Sequence, residues 1–274
     1  MISIIIPIFK MEHHLQKCLK NLKQQSFKDW RVIIVNDGSD NPALIQSIAK
    51  NTLKPDQYQI IHQENKGLSS ARNTGIKASS TEFVMALDPD DFLHKDFLKE
   101  IIMQFNNKHT DIVYCWTQFQ GESNFILDTK KISQLALLRK NLLISASPFR
   151  KSVWSSLGGF DESMKNGHED WEFWIRACLH GFKFSGIKKV LFYYNVSNSG
   201  MNTEATIRRV DNIAYIRKKH SDSYPTSFFK TYKLYANEAS FPVLLRFWLT
   251  NIFFICFPKP LRNGLFSVYR RFRS

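Results

Sequence analysis

The chain repeats one pattern from its first residues: a short apolar run of strand length, then a stretch whose apolar residues fall at helical spacing. Ser3 to Ile8 is followed by a helical pattern through Leu15, Cys18, Leu19 and Leu22, and then by a second run, Arg31 to Val35. Further strands are predicted at Gln59 to His62, Glu82 to Leu87 and Ile112 to Trp116. Helices are predicted at Ala43 to Lys50, Ser69 to Ala78 and Lys95 to Asn106. This alternation predicts an α/β fold with a mostly parallel, Rossmann-like central sheet flanked by helices.

Length and charge divide the chain. With 274 residues, 43% of them hydrophobic, a chain of this size removes roughly 75% of its unfolded surface from water, enough for one main domain and an appendage. The alternation stops near residue 204, so residues 1–204 form the expected α/β domain and 205–274 a helical, aromatic and basic extension. The formal charge is +14, and residues 205–274 hold 13 Lys/Arg against three Asp/Glu. Most of the net positive charge, +10 of the +14, therefore sits in the tail, which suits an anionic surface.

Within that tail, Val243 to Phe257 is the most apolar stretch, bracketed by Pro242 and Pro258. As a helix it reaches only about 22 Å against about 30 Å of hydrocarbon, and Arg246 interrupts it. Lying in a membrane interface, or packing as a core helix, are the two readings. The opening MISIIIPIFK reads as a buried strand, not a leader peptide. Cys18, Cys115, Cys178 and Cys256 lie far apart and form neither CxxC pairs nor a zinc spacing, so buried thiols in a reducing compartment are expected.

Four segments carry chemistry. VIIVNDGSD places Asp37, Gly38, Ser39 and Asp40 just past a strand's carboxyl end, where open parallel sheets bind ligands. The same residues also read as an Asp-Gly turn with Ser39 or Asp40 capping the next helix. ENKGLSSARNTG opens a helix at Gly67 and puts Arg72 and Asn73 on it, a combination suited to phosphate or carboxylate. FVMALDPDD runs an apolar strand into Asp88, Asp90 and Asp91, whose mutual repulsion a divalent cation with oxygen ligands would relieve. His168, Glu169 and Asp170 precede an aromatic helix carrying Trp171, Phe173 and Trp174. Partial desolvation there would raise Asp170 toward a general base's working range.

In this order and spacing, SIIIPIFKMEHHLQKCLKNLKQQSF, VIIVNDGSD, NKGLSSARNTGI, FVMALDPDD and GGFDESMKNGHEDWEFWIR resemble the family 2 glycosyltransferases of GT-A fold, over about residues 1–204. The resemblance implies a nucleotide pocket lined by Pro7, Ile8, Glu12 and Asp37, with Gly38 and Ser39 at its turn and Arg72 and Asn73 helping to position the nucleotide. Its DxD motif falls on Asp88 and Asp90, with Asp90 the metal ligand, for Mn²⁺ or Mg²⁺, and Asp88 nearer the ribose. The catalytic base falls on Asp170, with Glu169 beside it at the acceptor. Where relatives carry a His in a YYRxH-like strand end, this chain reads Tyr193, Tyr194, Asn195, Val196, Ser197.

The implied activity is metal-dependent, inverting transfer from a nucleotide-sugar, of UDP type, to a hydroxyl of a glycan or lipid-linked glycan. The work would be done in the cytoplasm, peripherally at the inner face of an anionic membrane and without nucleic acid. The competing reading is a catalytically inactive nucleotide-binding scaffold in glycan assembly.

Overall fold

The structure, a computed structural model, describes residues 1–121, 124–165, 167–196 and 209–224. The chain divides into two compact units, Met1–Lys218 and Lys219–Ser274. Of the second, the described part holds a single 3-10 turn, Ser221–Ser223. The boundary expected at residue 204, the Ser197 position and the apolar run Val243 to Phe257 lie outside the described residues.

The first unit begins as the apolar runs require. Strands β1 (Ile2–Ile8), β2 (Trp30–Asp37), β3 (Tyr58–Gln63) and β4 (Phe83–Ala86) alternate with helices α1 (Glu12–Lys23), α2 (Pro42–Thr52) and α3 (Leu68–Ala78). These strands pair in parallel in the order β3-β2-β1-β4. Ile2, Ile4, Ile6 and Ile8 alternate onto one face and meet Leu15, Cys18, Leu19 and Leu22 of α1 in a single core. The period of two on the strand thus meets the 3.6 period on the helix. Asn41, not Ser39 or Asp40, caps α2: its side chain accepts the Leu44 N–H at 3.0 Å, and Pro42 opens the helix.

Beyond β4 the sheet is mixed. It continues through β8 (Phe149–Arg150), β6 (Ile112–Gly121), β9 (Phe184–Val196) and β5 (Phe92–Leu93), with β7 (Phe125–Leu127) paired to β6. β8 runs antiparallel to both β4 and β6, while β6 and β9 are parallel, with irregular register between Cys115 and Thr117. Helix α4 (Phe97–Phe105) follows β5, and α5 (Gln134–Arg139), α6 (Lys151–Leu157), α7 (Glu169–Leu179) and α8 (Arg209–Lys219) complete the unit. α7 packs by its aromatic face, Phe173 and Trp174 lying 5.3 and 5.8 Å from the Phe149 ring. α8 is tied to the turn before α7, where Tyr215 Oη donates to Asp161 at 2.8 Å.

One glycine sets how closely α3 lies on the sheet. A Cβ on Gly75 would stand 2.4 Å from Ile5 Cγ2 and 3.1 Å from Val35 Cγ2. Gly75→Ala gains up to about 1 kcal/mol of helix propensity, but overpacking of this kind costs about 1–3 kcal/mol. Urea midpoints are therefore expected to fall in the order wild type, Gly75→Ala, Gly75→Val. An alanine variant more stable than the wild type would show that α3 can lift off the sheet at no cost.

Candidate active site

The carboxyl ends of β1, β2 and β4 meet the amino ends of α3 and α7, and the four chemistry-bearing segments converge there. Arg72, in the second turn of α3, is buried. Its Nη2 donates to both oxygens of Asp88, at 3.0 and 3.1 Å, and its Nη1 to Glu169 Oε1. One guanidinium thus joins residues 16 and 97 positions away in sequence. Burial works against the charge on Arg72, but Asp88, Glu169 and Asp170 outweigh it and hold the guanidinium charged, above its usual range. Its Nε has no partner among the described residues.

Glu169 and Asp170 occupy the first turn of α7 instead of preceding it, with His168 as the capping residue at φ 65°. Acidic side chains there are favoured by the helix dipole. Burial raises both carboxyls, with Arg72 opposing it. Asp170 is bonded at both oxygens: Oδ1 accepts the Trp171 backbone N–H at 2.7 Å and Oδ2 accepts from Asn141 Nδ2 at 3.1 Å. No local signal marks Asn141 in the sequence, because it lies in the loop after α5, 29 residues from its partner.

The acidic run after β4 forms a turn closed by Asp91 N–H donating to Asp88 O at 3.2 Å. Asp90 is pushed up to about 6, by burial first and by Asp88 second. Asp91 is buried, accepts the Asn195 N–H at 3.2 Å, and is raised well above the usual carboxylate range by burial and its two acidic neighbours. No group of three His, Cys, Asp or Glu side chains among the described residues could cage a metal ion alone. The run nevertheless fits a hard divalent cation. Such ions are commonly held by one or two carboxylates together with substrate phosphate oxygens, and the half-buried, destabilised Asp90 carboxylate is a donor of that kind.

The other expected site residues are placed differently. Asp37 accepts from Gln63 Nε2 at 2.7 Å and from the backbone N–H groups of Lys66 and Gly67, both at 2.9 Å. It therefore shapes the loop that launches α3. Gly38, at φ 82°, makes room for Asn65, whose backbone nitrogen would lie 2.9 Å from a Cβ there. Ser39 Oγ accepts the Lys10 N–H at 3.0 Å and donates to Ile8 O at 3.4 Å, tying the β1 and β2 ends together. Pro7 and Ile8 are buried at the end of β1, and Glu12 opens α1, half-buried. Asn73 bonds to none of Asp88, Glu169 and Asp170 in the hydrogen bonds it makes. Its amide donates to Phe160 O and Glu162 and accepts from the Phe160 N–H and the Trp154 indole, all between 2.8 and 2.9 Å.

Breaking the central pair isolates a buried charge. Arg72→Met should cost about 3–5 kcal/mol, since removing one partner of a buried pair leaves the other uncompensated. Adding Glu169→Gln to that variant should recover part of the loss in denaturant titrations. A double variant no more stable than Arg72→Met would show that Glu169 is not the group left stranded.

Residues 3–158 match the model of the family described as Glycosyl transferase family 2. The putative glycosyltransferase EpsH of Bacillus subtilis (strain 168) is 34% identical over 115 residues, 42% of this chain and 33% of that protein. The match thus spans about a third of that relative's length. Among solved structures, S. aureus TarS 1-349 in complex with UDP-GlcNAc superimposes with a TM-score of 0.65 at 21% identity, covering 78% of this chain and 66% of that one. The mannosyltransferase PcManGT from Pyrobaculum calidifontis, in complex with GDP-Man and Mn²⁺, gives 0.62 at 16% identity, covering 96% and 82%. These likenesses show the fold, the α/β GT-A architecture expected from the sequence.

Proposed function

The chain belongs to glycosyl transferase family 2, and on that premise we propose that it transfers a sugar from a nucleotide-sugar donor to a hydroxyl of a glycan or lipid-linked glycan, with inversion. The observation that carries this reading is the joining of two acidic motifs through Arg72: Asp88 and Glu169 share one guanidinium, so Asp170 stands beside the carboxylates that would face a donor diphosphate.

Asp170 is the proposed base. It takes the proton of the acceptor hydroxyl as that oxygen bonds to the anomeric carbon, and the bond from that carbon to the diphosphate breaks with its electron pair leaving on phosphate oxygen. Burial keeps the ionised carboxylate poorly solvated and so more basic than an exposed one. Glu169 lies beside it at the acceptor, and Arg72 spreads positive charge between the two motifs. Asp90, with Asp88, would hold Mn²⁺ or Mg²⁺ against the diphosphate, and the ion when bound would neutralise charge developing on the leaving group. Pro7, Ile8, Glu12, Asp37, Gly38 and Ser39 frame the nucleotide end in this reading, Asp37 acting chiefly through the loop it orders. A UDP-sugar is the proposed donor class, supported by the TarS complex with UDP-GlcNAc.

General-base assistance is worth about 10²–10⁴-fold, so Asp170→Asn should lose transfer to that extent while binding UDP as the wild type does. Calorimetry with UDP, and GDP as control, should show binding that needs Mn²⁺ and is weakened by Asp90→Asn. Nucleotide binding absent under every condition would overturn the donor assignment, and normal transfer by Asp170→Asn would overturn the base.

The acceptor is proposed to lie at an anionic membrane surface on the cytoplasmic side. No helix among the described residues is long and apolar enough to cross a membrane. The support is sequence: the basic tail and the apolar run Val243 to Phe257, followed by Arg262, Arg270, Arg271 and Arg273. Removing residues 240–274 should release the protein from vesicles rich in anionic lipid in a sedimentation assay. Undiminished binding would rule this placement out.

A further inference from the structure

Two bonds run from one short segment onto two consecutive residues of the first turn of α7. Asn141 Nδ2 donates to Asp170 Oδ2 at 3.1 Å, and the carbonyl of Leu137, in α5, accepts the Trp171 indole N–H at 2.6 Å. An ionised carboxylate only accepts, so the nitrogen of the Asn141 amide must face it. The amide oxygen points the other way, toward the Leu143 N–H at 3.4 Å. Asp170 Oδ1 is already engaged by the Trp171 backbone.

We infer that Asn141 is a positioning residue for transfer: by holding Oδ2 while the backbone holds Oδ1, it fixes the rotation of the Asp170 carboxylate and aims a remaining lone pair at the acceptor hydroxyl. This rests on Asp170 being the base. During transfer the acceptor proton passes to Asp170, and Asn141 keeps both of its hydrogens throughout. A fixed donor also favours the ionised carboxylate. Arg72 from α3 acts in the same sense, and burial and Asp88 at the end of β4 act against it. Glu169 is the adjoining acid on α7. Arg139 and Lys140 precede Asn141, and His168, two residues before Asp170, is bonded to Asn212 of α8 at 3.1 Å.

The test is kcat and KM as a function of pH for the wild type, Asn141→Ala and Asn141→Gln, with Asp170→Asn as reference and UDP affinity measured alongside. Asn141→Ala should lower kcat about tenfold and move the acidic limb up by about one to two pH units, the worth of one hydrogen bond to a charged group. UDP affinity should stay within about twofold, and Asn141→Gln, which keeps the donor, should regain part of both losses. An unmoved limb with kcat within about twofold of wild type overturns the inference even where Tm falls, because that is the signature of a merely structural loop. An Asp170→Asn enzyme that transfers normally overturns the base assignment itself, and so separates the two failures.

Discussion

A buried guanidinium is the constraint on which the site depends. Arg72 is fully enclosed, and taking such a cation out of water costs several kcal/mol unless it is well paired. Its partners come from elements far apart in the chain: Asp88 from the end of β4 and Glu169 from the start of α7. Packing therefore cannot be completed around Arg72 until β4, α3 and α7 are together. The relation also runs the other way. Asp88, Asp90, Asp91, Glu169 and Asp170 crowd one region, and the positive charge at its centre lets the two motifs approach.

Much of the frame was legible in the sequence because it is written in local periodicity. The runs at Ser3 to Ile8 and Arg31 to Val35 lie inside β1 and β2, and the helix expected from Ser69 to Ala78 is α3 but for one residue. The short strands β5 and β8, of two residues each, carry too few positions for a period to register. β8 exists because Phe149 and Arg150 bridge β4 and β6, a fact about tertiary position.

The residues of the candidate site were legible as motifs, their bonding less so. The motif residues Asp88, Glu169 and Asp170 do meet, yet Asn73, adjacent to Arg72 in sequence, serves a different end. One step along a helix rotates a side chain by about 100°, so Arg72 enters the acidic centre while Asn73 clips α3 to the loop before α7. Asp37 likewise spends its oxygens on Gln63 and on backbone N–H groups of the loop between β3 and α3. Neither assignment follows from residue type or spacing. Both depend on which loop happens to lie opposite.

The strand order gives the acidic run a mechanical dimension. β4 and β5 are consecutive in the chain, yet β8, β6 and β9 stand between them in the sheet. Four strand spacings amount to about 19 Å, and the residues from Ala86 to Phe92, drawn straight, reach roughly 20 Å. The run is not straight, because Asp88 to Asp91 closes a turn. The sheet must therefore curl so that its far edge comes back toward its middle. The bonds between Asn21 of α1 and Leu93 of β5, at 2.9 and 3.0 Å, fasten that edge there. The acidic segment works as a hoop of fixed circumference. Its length sets the curvature of the sheet, so inserting or deleting a residue between Leu87 and Phe92 would change that curl as well as the spacing of its carboxylates.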